Sequence, residues 1–452
     1  MEALESVKLI KGIEQKYDVM SIKWKGISVW PFLRLYIKDS VTSQRENKAS
    51  ASNIGLVLRC LFAYNPFRAL KRHDIWSFTA CDRRKRIGDK MVHRISGAFA
   101  AQGVNCLMIE KPLKGFGHYS RKEIEEQDII SESWLLMTFH AMEVFSRLIT
   151  PKIENEDLLK KILADNNLQF NYLRYVRMLN AQRRAMRLLL LLNPKPKVVM
   201  IECPYDVMGY QCAFHEKGIK VVEMQHGSLN GNHFSYNARE YEPKMNPDCV
   251  CVFGEEEYKY LTEEKPQYAP YVKMTGMYML ERADQYFSND IFKEERKKYD
   301  SIIVISGQPA WEIPLSKFVD SIASGHDNIL FVYIPRHQRE DIVFNSDNVR
   351  LIHGVNIYEY LKWADIHITI TSTTSLEAQY FHTPTIFYDY QNLATNYFKD
   401  FFKEENGVSF INSAQQFDYA FNKIYGHNLA YQEIFAHDHV KRLMDVVSEY
   451  IK

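Results

Sequence analysis

The feature that most limits the fold of this chain is an alternation of short apolar runs with helical segments. In the second half, the runs SIIVIS, NILFVYI, DIHITIT and TPTIFYDY are of strand length, and segments with helical spacing lie among them. A strand, a helix and a second strand form the repeating unit of a parallel sheet. The pattern therefore predicts an α/β fold with a doubly wound parallel sheet in this half of the chain.

The first half repeats the alternation less regularly. Its apolar runs are IWSFTA, VNCLMIEKP, KVVMIECP and IKVVEMQ, with helical spacing over residues 87–102 and a helix-rich region over residues 121–192. We therefore predict a second Rossmann-like parallel sheet here. The two domains are expected to face each other across a cleft.

Chain length and the positions of proline residues divide this pattern into segments. The chain has 452 residues, more than the ~250 to 300 at which a single core usually stops growing. Four prolines between residues 243 and 270 mark a boundary near 260–275. We predict a helical lead-in and linker (1–50), an N-terminal Rossmann-like acceptor domain with a helical insertion (51–265), a C-terminal Rossmann-like nucleotide-donor domain (266–411) and a C-terminal helical segment (412–452).

Charge and hydropathy exclude several classes of protein. Lys and Arg number 57 against 56 Asp and Glu, so no global field would attract nucleic acid, and we expect no nucleic-acid partner. The first residues lack the apolar core of a secretory signal, and the longest apolar runs are far shorter than the ~20 residues that span a bilayer. We therefore expect a cytoplasmic protein whose seven cysteines are reduced.

Two basic stretches, at residues 71–86 and 174–187, are interleaved with aromatic and aliphatic residues. Most runs of this kind are solvated surface. The alternative is peripheral contact with the anionic inner face of a membrane, where a lipid-linked acceptor would be found. Both interpretations remain open from the sequence.

Polar and small residues end three strands of the predicted C-terminal sheet. Ligands of open α/β sheets sit at the carboxyl ends of the strands. Hydroxyl groups at a helix start can cap the helix or bind phosphate, and a basic pair can neutralise a diphosphate. We predict that the donor is bound by Ser306, Gly307 and Gln308, by Arg336 and His337, and by Thr371, Ser372, Thr373, Thr374, Ser375 and Glu377.

A similar strand end occurs in the N-terminal half. The apolar run VVEM ends abruptly in Gln225, His226 and Gly227, and the preceding strand ends in Glu202. A neutral imidazole at this edge can take a proton from an acceptor hydroxyl, with the carboxylate orienting it. The competing interpretation is a structural histidine packed beside Gly227. We predict that His226 and Glu202 are catalytic and that Gln225 and Gly227 lie on the acceptor side.

These segments also carry a family resemblance, over residues 195 to 400. The QHG turn, the PRH strand end and the segment TSTTSLEA followed by TPTIFYD resemble GT-B fold glycosyltransferases of bacterial capsule, lipopolysaccharide and teichoic acid synthesis. The similarity is greatest to capsule proteins that use CMP-linked Kdo or sialic acid and to CDP-glycerol glycerophosphotransferases. Resemblance to the latter implies that His226 is the base and that His337 and the Ser372 to Ser375 turn hold donor phosphates.

The resemblance implies a glycosyltransferase that moves a sugar from a nucleotide-activated donor to a glycan or lipid-linked acceptor in surface polysaccharide synthesis. The alternatives are a CDP-glycerol-type glycerophosphotransferase, a sugar-nucleotide 2-epimerase, which needs no acceptor, and a non-catalytic nucleotide-binding scaffold. No DxD occurs in a strand–loop context, so we expect no metal and no cofactor besides the donor substrate. The donor nucleotide, the sugar and the linkage stay open.

Overall fold

The computed structural model of the chain describes residues 3–42, 60, 64, 66–113, 116–126, 128–147, 150–227, 229–231, 233–336, 339, 341–399, 401–402, 406–427, 429, 431 and 433–451. The chain forms two compact units. The first comprises Met1–Arg84, Met91–Thr275 and Val440–Lys452, and the second comprises Lys85–Lys90 and Gly276–His439. The domain limits given above stay predictions.

The strands before residue 276 form three sheets. Their bounds are β1 (Lys23–Trp24), β2 (Ile27–Ser28), β3 (Ile75–Ala80), β4 (Arg84–Ile87), β5 (Lys90–His93), β6 (Cys106–Lys111), β7 (Ile129–Ser131), β8 (Val198–Ile201), β9 (Lys220–Met224), β10 (Cys249–Val252) and β11 (Tyr271–Met274). Two sheets are small pairs, β1 with β2 and β4 with β5. The third is the seven-stranded parallel sheet of the first unit, in the order β11-β10-β9-β8-β3-β6-β7.

The first unit also contains α-helices, some packed on this sheet and others in a separate core. Their bounds are Ala3–Lys16, Trp30–Val41, Gly97–Ala101, Ser133–Ser146, Glu156–Asp165, Tyr172–Leu192, Met208–His215 and Glu255–Lys259, with His439–Ile451 at the end of the chain. Trp76 and Phe78 of β3 share a buried core with Leu135 and Leu189 of two of these helices. Burying each such side chain stabilises the fold by ~1.5 to 3 kcal/mol.

The second unit contains a six-stranded sheet. Its strands are β12 (Ser301–Ser306), β13 (Ile329–Ile334), β14 (Val349–Leu351), β15 (Ile366–Thr369), β16 (Thr385–Tyr388) and β17 (Val408–Ile411). All neighbours are parallel, in the order β14-β13-β12-β15-β16-β17. The α-helices are Tyr278–Tyr286, Glu312–Ala323, Ile357–Trp363, Thr374–Tyr380, Leu393–Phe398 and Phe417–Ile424.

Both large sheets have the Rossmann strand order 3-2-1-4-5-6, to which the first adds one strand beyond the sixth. The order reverses between β3 and β8 in the first unit and between β12 and β15 in the second. Ligands of such sheets bind at this switch point, outside the carboxyl ends of the strands. The predicted class, with two doubly wound parallel sheets, is confirmed.

Two details correct or extend the sequence analysis. The helix predicted over residues 87–102 is wrong: Gly88 has a φ of 60°, strand β5 follows it, and the helix is limited to Gly97–Ala101. The helical spacing in the sequence arose because the apolar residues of strand β5 and of the short helix Gly97–Ala101, taken together, match a helical period. Among the described residues, no helix is long and apolar enough to cross a bilayer.

Candidate functional site

The switch point of the second sheet brings two of the predicted donor segments together. Gln308 follows β12 and Thr371 follows β15. The side-chain oxygen of Gln308 accepts a hydrogen bond from the backbone N–H of Thr371 at 2.7 Å, and its amide nitrogen donates to Thr371 Oγ1 at 3.1 Å. These bonds fix the hydroxyl turn beside the end of β12.

A buried histidine organises the hydroxyl groups at the same edge. Ser306 Oγ lies 2.8 Å from Nε2 of His367 and 2.7 Å from Thr374 Oγ1, and Nδ1 of His367 lies 3.2 Å from Thr385 Oγ1. His367 is fully buried in β15, and this burial lowers its pKa to about 3. The ring is therefore neutral at physiological pH. His367 was not predicted from the sequence, although a histidine within an otherwise apolar strand indicates a buried polar contact.

Gly307 and the segment after β13 meet at a second buried group, the carboxylate of Glu312. A Cβ at Gly307 would lie 2.3 Å from Glu312 Oε2. Tyr333 donates its hydroxyl to that oxygen at 2.6 Å, and the backbone N–H of Arg336 donates to Oε1 at 3.3 Å. The Arg336 side chain is exposed, while His337 lies outside the described residues. Glycine is needed at position 307 because the carboxylate fills the space.

The hydroxyl turn itself is only partly used in capping. Thr373 occupies the N-cap position without a side-chain cap bond, while Ser372 Oγ accepts from the Thr374 N–H at 3.3 Å. Ser375 donates its hydroxyl to the Ser372 carbonyl at 2.8 Å, and Glu377 is buried. The helix has only seven residues. The macrodipole of so short a helix is weak, so an anion at this turn would be bound mainly by the hydroxyl and N–H groups.

In the first unit, His226 follows β9 at the carboxyl edge. Its Nε2 lies 3.1 Å from the Tyr205 hydroxyl and 3.5 Å from Cys203 Sγ, whereas Nδ1 makes no well-formed hydrogen bond among the described residues. Burial and then the charge of Arg83 lower the pKa of His226 to about 3, although the nearby Glu202 backbone carbonyl opposes the shift. The imidazole is neutral and able to accept a proton.

Glu202 follows β8, the strand next to β9. Its Oε1 accepts from the Ser96 hydroxyl at 3.3 Å and lies 3.4 Å from Nε2 of His93, while Oε2 has no partner among the described residues. Burial raises the pKa of Glu202 to about 8, against the opposing charge of Arg83, and burial lowers that of His93 well below its usual value. Glu202 is therefore protonated at neutral pH.

The carboxyl group of Glu202 makes no hydrogen bond to His226; the side-chain partners of the ring are Tyr205 and Cys203, and Glu202 acts on it through its backbone carbonyl. The direct carboxylate–imidazole contact expected from the sequence is therefore not formed between these side chains. Their catalytic roles stay predictions. The adjacent strands β8 and β9 are thus followed by a protonated carboxyl group, Glu202, and a neutral imidazole, His226.

Arg83, which the sequence analysis missed, follows β3 at this switch point. It donates from a terminal guanidinium nitrogen to the His226 carbonyl at 3.5 Å; its buried Nε has no partner, and it has no ion pair with any described residue. By contrast, Arg84 is fully buried between Glu110 and Glu126, with both contacts at 2.6 Å. A guanidinium without a counter-charge is suited to bind a carboxylate or phosphate.

The predicted acceptor-side residues differ in environment. Gln225 is buried; its side chain accepts from the Phe253 N–H at 2.6 Å and donates to the Gly227 carbonyl at 2.8 Å and to Glu257 at 3.0 Å. Gln225 therefore braces the turn that carries His226. At Gly227 an added Cβ would meet no atom within 4 Å, so the space beside His226 is open there. Contact of either residue with an acceptor stays a prediction.

Among the residues that the structure describes, one group of side chains has the spacing of metal ligands. Cys81, Glu110 and His118 offer ligand atoms within 4.8 Å of one another. However, His118 is already hydrogen-bonded to Glu110 at 2.7 Å and to Ser131 at 2.8 Å, and Glu110 forms an ion pair with Arg84. Burial raises the pKa of the Cys81 thiol to about 12, which disfavours the thiolate that a metal would need. These residues fit a satisfied hydrogen-bond network better than a metal site. The absence of a metal stays a prediction.

Comparison with known proteins identifies the fold. No protein-family model and no curated protein sequence matches the chain. Among solved structures, it is similar to S. aureus MnaA with UDP, with a TM-score of 0.50 and 10% identity over 84% of this chain and 97% of that one. At this identity the likeness shows the fold alone. The chain thus has the GT-B-like fold predicted from its sequence.

Two further solved structures have lower scores. The Methanocaldococcus jannaschii UDP-GlcNAc 2-epimerase in complex with UDP-GlcNAc and UDP has a TM-score of 0.48 and 12% identity over 83% of this chain and 99% of that one. The glycotransferase of kitacinnamycin has a TM-score of 0.46 and 11% identity, over 84% and 95%. Membership of the CMP-Kdo, sialic acid or CDP-glycerol families stays a prediction.

Proposed function

We propose that the chain is an enzyme acting on a nucleotide-activated sugar. We assign nucleotide binding to the second unit, at the switch point between β12 and β15. The partly exposed turn at residues 371–374 offers hydroxyl and N–H donors there, and the exposed Arg336 offers a cation. The buried Ser306 and the partly buried Gln308 support this turn through Thr374 and Thr371. A protein of the same fold, S. aureus MnaA, has been solved with UDP. That likeness supports a nucleotide diphosphate as the ligand class.

We assign proton transfer to the first unit, and one observation carries this assignment. Two buried groups on adjacent strands have pKa values shifted in opposite directions, to about 3 for His226 and about 8 for Glu202. At neutral pH this gives one base without a proton and one acid with a proton. Groups whose environments separate their pKa values in this way are typical of acid–base catalysis.

Within this class, we favour sugar-nucleotide 2-epimerisation. Inverting C2 requires a base that removes its proton while the C–H electrons form a C1=C2 double bond and the C1–O bond to the nucleotide diphosphate breaks. It then requires an acid that protonates the opposite face of C2 as the diphosphate oxygen re-forms its bond to C1. Glycosyl transfer to a hydroxyl requires a base, but the departing nucleotide phosphate needs cations and hydrogen-bond donors more than an acid. Glycosyl transfer remains the second candidate because of the motif resemblance around His226, Arg336 and Ser372. Because an epimerase needs no acceptor, activity in the absence of an acceptor distinguishes the two candidate functions.

Incubation with UDP-GlcNAc in D₂O, followed by proton NMR, tests the proposal. Epimerisation is expected to replace the C2 proton of the sugar with deuterium and to form a second sugar nucleotide in the absence of acceptor. His226→Ala should slow the exchange by about 10² to 10⁴. Release of UDP only when a glycan or lipid-linked acceptor is added would instead establish transfer.

The nucleotide itself can be identified separately. A thermal-shift screen with UDP, CDP, CMP, GDP and dTDP in excess EDTA should show stabilisation by one of them, because a ligand that binds only the native state raises its stability. Stabilisation by none of them, with or without Mg²⁺, would contradict nucleotide binding. Binding without turnover, unchanged in His226→Ala, would indicate the non-catalytic scaffold.

A further inference from the structure

The two ring nitrogens of His226 are both enclosed by the first unit. Nδ1 is buried, and Nε2 lies 3.1 Å from the Tyr205 hydroxyl and 3.5 Å from Cys203 Sγ. Only 8% of the residue is exposed. In this arrangement His226 has no free nitrogen that faces a substrate, so another group must bring the substrate's proton to it.

The bonding around the ring indicates which nitrogen carries the proton. A neutral imidazole has one N–H and one lone pair. Burial lowers the pKa of His226, and the Glu202 backbone carbonyl opposes this effect as a hydrogen-bond acceptor. Because Nε2 is already bonded to Tyr205, we assign the N–H to Nδ1, toward that carbonyl, and the lone pair to Nε2.

Tyr205 is well placed to donate to that lone pair. Burial raises the pKa of its phenol well above the usual value, so the hydroxyl keeps its proton. Tyr205 lies in the turn Pro204–Asp206 after β8, and its ring centroid is 5.7 Å from that of His233 and 6.0 Å from that of Tyr236. These rings hold the phenol against Nε2, yet Tyr205 is only partly buried, unlike His226.

Cys203 is the other side chain at Nε2. Its Sγ lies farther from the nitrogen than the phenol oxygen does, and a thiol is a weak hydrogen-bond donor. Tyr205 is therefore the stronger partner of the base.

We propose that Tyr205 is a catalytic residue that relays the substrate's proton to His226, an inference that rests on the proposed function. In the first half of epimerisation, the Tyr205 oxygen takes the C2 proton while its own hydroxyl proton passes to Nε2. The C–H electrons form the C1=C2 double bond, and the electrons of the C1–O bond leave with the nucleotide diphosphate. The imidazolium keeps its Nδ1–H toward the Glu202 carbonyl.

Arg83 links this step to substrate binding. Its charge adds to burial in lowering the pKa of His226 and so disfavours the imidazolium. A diphosphate paired with Arg83 would offset that charge. The relay should therefore take up a proton more readily when the anionic substrate is bound.

Exchange of the C2 proton of UDP-GlcNAc in D₂O, followed by proton NMR, tests the relay in the full chain. Tyr205→Phe keeps the ring and should slow exchange by about 10² to 10⁴, the usual contribution of a positioned proton-transfer group. Tyr205→Phe/His226→Ala should be no slower than His226→Ala alone, because residues that act as a unit have non-additive effects. Cys203→Ala should slow exchange by less than about tenfold.

The matched control is Tyr172→Phe. It removes another partly buried hydroxyl of the same unit, which bonds to Glu156 at 2.6 Å. This variant should exchange like the natural sequence. Nucleotide affinity, measured by calorimetry, should be unchanged in Tyr205→Phe, since nucleotide binding is assigned to the second unit. Equal melting temperatures of the two Phe variants show that a loss of exchange is not a loss of folding.

A second readout needs no substrate. In chain labelled with ¹⁵N-histidine, the signals missing from His226→Ala identify this ring. Tyr205→Phe should shift the Nε2 signal downfield, because the lone pair loses its donor, and Tyr172→Phe should leave it in place.

The outcomes separate the relay from the proposed function. No exchange by the natural chain would overturn the proposed function and the relay with it. Exchange by the natural chain that persists in Tyr205→Phe would overturn the relay alone. So would an unshifted Nε2 signal in that variant, or a larger loss in Cys203→Ala than in Tyr205→Phe.

Discussion

The hydroxyl of Ser306 lies 2.8 Å from Nε2 of His367, so that a neutral imidazole inside the second sheet contacts the first residue of the candidate nucleotide edge. The same ring reaches Thr385 on the next strand at 3.2 Å. The orientation of the hydroxyl groups at this edge is thus fixed from within the sheet. We infer that His367 is a positioning residue.

Replacing His367 should therefore weaken nucleotide binding without removing a ligand contact. His367→Phe keeps a ring but removes the imidazole partner of Ser306 and Thr385 and leaves Ser306 only its contact with Thr374, which should cost about 1 to 3 kcal/mol in stability. Nucleotide affinity, measured by calorimetry, should fall several-fold, and His367→Gln should restore part of it. The exposed His353→Gln is the control. Equal affinities in the Phe and Gln variants would contradict a positioning role.

Two other histidines should differ in what they contribute. His226→Ala should lower turnover by about 10² to 10⁴, the usual contribution of a general base, with nucleotide affinity nearly intact. His337→Ala should instead weaken nucleotide binding, by about 1.5 to 3 kcal/mol for a lost charge-assisted hydrogen bond. Melting temperatures are compared first. The opposite pattern would reverse the assignment of binding and proton transfer to the two units.

Glu202 should make stability depend on pH. Its pKa is about 8 in the folded chain against 4.5 ordinarily, so the native state holds this proton more tightly than the unfolded state does. The resulting stabilisation is full below about pH 4.5 and is lost as the pH rises through about 8, by at most ~1.4 kcal/mol per pH unit. Urea unfolding at several pH values measures it.

Glu202→Gln stays uncharged at every pH and should lack this loss. Its free energy of unfolding should therefore exceed that of the natural sequence increasingly between pH 5 and about 8. Glu263→Gln, an exposed carboxylate of the same unit, should leave the pH dependence unchanged. Parallel curves for the natural chain and Glu202→Gln would show that Glu202 is ionised in the folded state.

Arg83 should bind an anionic group of the substrate. Arg83→Gln should raise the KM for the sugar nucleotide by about tenfold or more, and Arg83→Lys by less, because lysine keeps the charge but lacks the planar fork. Because the charge of Arg83 lowers the pKa values of His226 and Glu202, its loss should raise both and shift the pH–rate profile to higher pH. Arg72→Gln, an exposed arginine of the same basic run, serves as control. An unchanged profile in Arg83→Gln would contradict this role.

The two sheets could be predicted because their strands are continuous apolar runs, and the strand ends at Gln225, Ser306 and Thr371 followed directly. The roles of neighbouring side chains could not. Arg83 and Arg84 are adjacent in a run of basic residues, yet Arg83 has no ion pair with a described residue and Arg84 is enclosed by Glu110 and Glu126. Which of the two arginines is buried depends on Glu110 of strand β6, which is distant in sequence. The local sequence therefore does not predict that Arg84 pairs with it.

Buried polar groups were missed for a related reason. Glu312 reads as an ordinary acidic residue at a helix start, but its carboxylate lies where a Cβ of Gly307 would be and accepts the Tyr333 hydroxyl. His367 lies within a strand whose other residues are apolar or hydroxylated. Their partners are distant in sequence, so only the folded chain reveals them.

The membership of Val440–Lys452 in the first unit has a consequence for the order in which the protein matures. Glu449 pairs with Lys273 at 3.0 Å, and Val446 and Val447 are buried. A ribosome therefore delivers nearly all of the second unit before it delivers the helix that completes the first. Until that helix has been synthesised, the first unit lacks the partner of Lys273 on strand β11, and an incomplete unit of this kind exposes apolar surface to which chaperones bind during translation.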